Sequence, residues 1–215
     1  MKHKTGFALL LAGILLTATA CGEESSTTGG VQEAMEDMPY GATMTKISNT
    51  DRPSVLYDAR YISDGMLEAV LGYYTAIQTQ DADRFTALQF PLYRSYQLEN
   101  VLGGEFTDAD ILASTYSALS EYNGGDFVFS MIEITDYSTG VDDSRTDELL
   151  ALLDGISADQ GGEKISENVS AICELTITRY LADADSDEHA ETDTVLTDEA
   201  LFVMEYQSQW YILYN

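Results

Sequence analysis

The sequence predicts an α+β domain in which N-terminal helices pack on one face of a curved, cone-like antiparallel sheet, after a disordered tether. Apolar residues recur at three- and four-residue spacing between Ser63 and Gly124, the period of a helix with one buried stripe. From Phe127 onward they alternate, with many β-branched and aromatic members, the period of strands. A block of helices followed by a block of strands is the order of segregated layers, not of alternating βα units. The organisation that follows is a leader over 1–20, a flexible acidic linker over 21–55 and a single domain over 56–215.

The leader begins with Lys2 and Lys4 and continues in an apolar run of 10 residues, Phe7 to Leu16. A helix of that length cannot cross a hydrocarbon core of ~30 Å, so the run reads as the apolar region of a secretion signal. Ala18, Thr19 and Ala20 then stand directly before Cys21. The segment Leu16 to Gly22 resembles the lipobox of bacterial lipoproteins, with Ala18 where that family usually has leucine. The resemblance implies that Cys21 is acylated, with palmitate-type chains, and becomes the new N-terminus. It places the protein on the extracytoplasmic face of the cell membrane as a lipid-anchored protein. A plain secretory signal would have no need of a cysteine there.

Gly22 to about Ser54 is polar and lacks a helical or strand period, the composition of a tether. Ser63 can cap a helix carrying Met66, Leu67, Val70, Leu71, Tyr74 and Ile77. Gln80 to Asp83 break it, and Asp83 is placed to cap a second helix with Phe85 and Leu88. Pro91 suits the first turn of a third, running to about Val101 and ended by Gly103 and Gly104. Thr107 or Asp108 caps a fourth through Ile111, Leu112, Thr115, Tyr116 and Leu119, with Gly124 as its C-terminal glycine.

Strands are predicted over Phe127–Tyr137, Val169–Leu181, Leu196–Tyr206 and Trp210–Tyr214, with a short amphipathic helix over Thr146–Ile156. The last two strands are joined by Gln207 to Gln209 alone, so adjacent antiparallel pairing is expected. With Cys21 taken by lipid, Cys173 is the one remaining cysteine. It lies on the alternating face Val169, Ala171, Cys173, Leu175, Ile177, as a small buried hydrophobe. Stability must come from a core and not from disulfides.

The segment Tyr74 to Leu88, YTAIQTQDADRFTAL, together with the terminal EALFVMEYQSQWYILYN, resembles the nuclear transport factor 2-like superfamily. That resemblance covers roughly 60–215 and implies a long helix and a short helix over a strongly curved sheet, with a pocket at the wide end of a cone. The chain departs from the family in lacking a strand pair after the second helix and in carrying an extra element at Leu149 to Ile156. The superfamily includes ketosteroid isomerase and many non-catalytic binding domains, so membership would not choose a function.

Charge excludes one class of partner. The chain has 37 acidic residues against 10 basic ones, and cleavage after Ala20 removes two of the latter. Phosphate contacts need Lys and Arg, so nucleic acid is not expected as a partner. Anionic lipid would repel the same surface, which leaves acyl chains on Cys21 to hold it at a membrane. The alternating Asp183, Asp185, Asp187, Glu191 and Asp193 invite comparison with a Ca²⁺ loop. Glu188 stands where the glycine belongs and Thr194 where the bidentate glutamate belongs, so a solvated hairpin loop is the reading. No metal or cofactor is called for.

His189 is the one histidine left after the leader and sits in that acidic loop, poorly placed to act as a base. The aromatics suit either a half-wet pocket or the margin of a core; Tyr74, Phe90, Tyr93 and Trp210 are the pocket candidates. These features point to a non-catalytic binding module for a small ligand or an envelope protein. The alternative is a small isomerase- or dehydratase-like enzyme with a carboxylate base and a tyrosine acid. A third reading, the capturing part of an uptake system, conflicts with a domain too small for two lobes.

Overall fold

Ser63 opens the first helix, α1 (Asp64–Thr79), its hydroxyl accepting from the Met66 N–H at 3.3 Å. Gln80 closes it in the left-handed region at φ 52°, its N–H reaching back to the carbonyls of Ala76 and Ile77. The computed structural model in which these elements are seen describes residues 38–139, 144–184 and 193–213. The leader, Cys21 and the tether up to residue 37 lie outside the described residues, as do Asp185, Asp187, His189 and Glu191 of the acidic loop.

The next helix, α2 (Ala82–Leu88), is capped by Asp81, not by the expected Asp83. Because Gln80 supplies the reversal alone, the following residue is free to accept from the Arg84 N–H. Pro91 begins α3 (Pro91–Tyr96), which passes without a break into a π-helical turn, Gln97–Val101, where a plain helix was expected. Gly103 and Gly104, at φ 71° and 74°, end it. Thr107 and Asp110 form a reciprocal capping box on α4 (Asp108–Asn123), and Gly124 at φ 82° is its C-cap. A further helix is α5 (Ser144–Asp159).

Among the described residues six strands form one mostly antiparallel sheet: β1 (Thr45–Ile47), β2 (Ser54–Tyr57), β3 (Phe127–Ser138), β4 (Val169–Asp183), β5 (Thr194–Tyr206) and β6 (Gln209–Leu213). Their spatial order follows the chain, and only β2 and β3 run parallel, the connection between them carrying α1 to α4. β1 and β2 correct the expectation of an unstructured linker to residue 55. They are three and four residues long, too short to show a period, yet β2 buries Val55 and Tyr57 against the core. The β5–β6 turn is made by Gln207 and Ser208, both at positive φ, the twist-compatible form of a two-residue hairpin.

Helices on one face of the sheet is the second expectation the structure corrects. Leu201, Val203 and Ile212 face the main core with α1, whereas Phe202, Met204 and Leu213 point the other way into a second cluster. That cluster holds Phe90 and Tyr93 from the α3 region and Leu153 from α5. A strand buried on both faces reads as a continuous apolar run, and Leu201 to Met204 is such a run. Val169 also departs from its expected face. A register shift between Val169 and Ala171 turns it toward the second cluster with Ile172, while Cys173, Leu175 and Ile177 stay in the first.

Candidate functional site

The four aromatic candidates do not share a pocket. Tyr74 is fully buried in the main core, with edge contacts to Tyr73 and Phe129. Trp210 is half-buried on that same side, its indole lying on Gly65 of α1. Phe90 and Tyr93 belong to the second cluster, where Phe90 meets the rings of Tyr206 and Tyr211 edge-on. Of the four, Tyr93 lines one of the described cavities.

That cavity is a cleft of about 290 Å³ between α3, the π-helical turn and the start of α4. Leu98, Val101, Leu102, Phe106 and Ile111 make its apolar wall. Val101 and Phe106 are 60% and 51% exposed, an unusual degree for large apolar side chains that stand together. The sequence produces this opening in two steps. The π turn widens the helix path after Tyr96, a device found often at functional sites, and the glycine pair then returns the chain across to the capping box.

At the polar end lies an ion pair between Arg94 and Asp108. Asp108 is 5% exposed, and its Oδ2 accepts from both Arg94 Nε and Thr86 Oγ1. These contacts tie α2 and α3 to the first turn of α4. Oδ1 has no hydrogen-bond partner among the described residues. A buried acceptor left unmade costs about 1–3 kcal/mol, so the site stores an unsatisfied demand for a donor. Beside it, Gln97 Nε2 donates to the Tyr93 hydroxyl at 2.6 Å. Burial pushes the Tyr93 phenol up from its ordinary value, and the Gln97 contact partly opposes this.

Apolar walls with a few convergent polar groups are the general form of a small-ligand site. In the sequence Asp108 stands out only as an alternative to Thr107 for the helix cap. Nothing in the spacing of Arg94 and Asp108, 14 residues apart across a π turn and a glycine pair, marks them as neighbours.

Two further cavities, of about 380 and 790 Å³, open beside Asn49 to Arg52; the smaller has a mainly polar wall, and the larger a mixed one that includes Val128, Phe129 and Met131. Three tyrosine–carboxylate pairs of the kind an isomerase would need are present among the described residues, the longest being Tyr116 donating to Asp126 at 3.3 Å. Tyr74 donates to Glu199 at 2.5 Å and Tyr180 to Glu133 at 2.7 Å. Both phenols are held above their ordinary value, Tyr74 chiefly by burial and Tyr180 chiefly by its hydrogen bond to Glu133. Cys173 is buried, and burial pushes its thiol up to about 12.

Among the described residues no group of three or more His, Cys, Asp or Glu side chains could hold a metal ion, and no helix is long and apolar enough to cross a membrane. No family model, curated protein or solved structure matches the chain.

Proposed function

We propose that this chain is a lipid-anchored, extracytoplasmic binding module that takes a small, largely apolar ligand in the cleft between α3 and α4. The observation that carries the reading is the buried, half-satisfied Asp108 at the end of an apolar cleft whose rim residues Val101 and Phe106 lack cover. The anchor belongs to the same proposal and rests on the leader and Cys21. The cone-like packing of a nuclear transport factor 2-like domain belongs to it too. Register shifts in β3 and β4 support that packing, because bulges sharpen strand twist and curvature.

The alternative, an enzyme using a carboxylate and a tyrosine, has weaker support. The Tyr74–Glu199 pair is packed among Tyr73 and Phe129 and lines none of the three cavities described. Tyr180 does line the 790 Å³ cavity, yet a phenol held above its ordinary value by a carboxylate is a poor acid near neutral pH.

Cleft binding is tested by blocking the cleft without touching the core. Ser114 is exposed and lines the cavity, so S114W should fill it while leaving the fold intact. Apolar probes should perturb the NMR signals of Tyr93 and Phe106 in the wild type and not in S114W. Equal perturbation in both proteins would reject the cleft as the binding site.

A further inference from the structure

We infer that the ligand of the α3–α4 cleft presents an uncharged carboxamide to Arg94 and Asp108 and an apolar group to the wall. This inference rests on the binding-module reading and adds the chemistry of the ligand to it. Both donors that reach Asp108, Thr86 Oγ1 and Arg94 Nε, converge on Oδ2, which leaves Oδ1 without one. Arg94 uses only Nε in that contact, so its two terminal amino groups have no acceptor among the described residues. The end of the cleft therefore asks for one donor and one acceptor side by side.

A carboxamide offers an N–H and a C=O in one plane, matching the planar guanidinium fork next to a carboxylate oxygen. A lone hydroxyl must serve both partners through one atom, and a ketone has no donor for Asp108. Charge narrows the choice. Arg94 and Asp108 neutralise one another, so an anion would meet Asp108, rim Asp110 and a chain of net charge −27. A cation would compete with Arg94 for the carboxylate. At about 290 Å³ the cleft lies at the small end of ligand pockets, so one apolar group and one amide fill it.

Calorimetric titration of the full-length chain with isocaproamide and with methyl isoamyl ketone, which replaces the amino group by methyl, tests the inference. The amide should bind at least about ten-fold more tightly, the effect of hydrogen bonds to charged partners in a buried site, and should shift the Tyr93 and Phe106 signals. D108L should abolish that preference while the ketone still binds. R94K keeps the charge but loses the fork that holds the carbonyl, a group both probes share, so it should weaken amide and ketone alike, which provides the test should D108L fail to fold. Amide and ketone binding equally well to the wild type, or R94K leaving the affinity of both probes unchanged, would overturn the carboxamide assignment and leave cleft binding standing. Neither probe shifting the cleft signals would overturn both.

Discussion

The Tyr74 hydroxyl donates to Glu199 Oε2 at 2.5 Å, joining the middle of α1 to β5, and Arg179 of β4 lies 3.1 Å from the same oxygen. The two partners are far apart in sequence; Tyr74 is fully buried in the main core and Glu199 is half-buried. The tyrosine thus ends a charged network within an otherwise apolar face. Y74F keeps the ring and deletes the donor. It should lower stability by about 1–3 kcal/mol, read as a reduced urea midpoint with an unchanged slope. A midpoint equal to wild type would mean the contact is fully exchanged for water.

Stability should fall at both ends of the pH scale, for identifiable reasons. At the alkaline end, burial pushes Tyr40 and Cys173 up to about 12, from ordinary values of 10.0 and 9.0, and holds Tyr74 well above 10.0. The folded chain keeps protons that the unfolded chain gives up, so this stability is complete below about pH 9 and drains away as pH rises toward 12. At the acid end the sign reverses. Asp58 is fully buried beneath the Arg60 guanidinium, which with the Gly41 and Arg60 N–H groups holds its carboxyl far below the ordinary 3.8. Its contribution is present above 3.8 and is lost as pH falls below that value. D58N should cost about 3 kcal/mol at neutral pH and flatten the acid limb of the unfolding curve. An acid limb unchanged in D58N would show that other carboxylates set it.

Gly65 and Trp210 provide a test of packing. A Cβ on Gly65 would lie 2.6 Å from the indole Cδ1 and 2.7 Å from Nε1. Helix propensity alone favours alanine there by up to about 1 kcal/mol. Overpacking costs about 1–3 kcal/mol, so the clash should win and G65A should melt below wild type. A higher melting temperature would show that the indole moves aside freely.

Much of the fold was legible because local patterns and caps agree. Ser63, Thr107, Pro91 and Gly124 do what their positions suggest, and the three long alternating or apolar runs and the short last one are β3 to β6. The failures have physical causes. The cap of α2 moved from Asp83 to Asp81 because Gln80 takes the left-handed conformation usually given to glycine. β2 is held by β3, far away in the chain, and β1 by β2, not by any pattern of their own. The second buried face was written in Leu201 to Met204, yet it became readable only once α3 and α5 were seen to cover Phe202 and Met204. The site was the least legible part: Tyr93 was named, whereas Arg94 and Asp108 meet through a π turn that no spacing rule anticipates.

Attachment through Cys21 is the premise on which an extracytoplasmic binding module stands, and it is open to one direct measurement. Membranes and soluble material are separated from cells producing the wild type or C21S, and the intact mass of each product is determined. The wild type should fractionate with membranes and begin at an acylated Cys21, whereas C21S should lose the acyl mass and leave the membrane fraction. C21S remaining with the membranes, or a wild-type chain whose first residue is unmodified, would contradict the anchor and the location built on it.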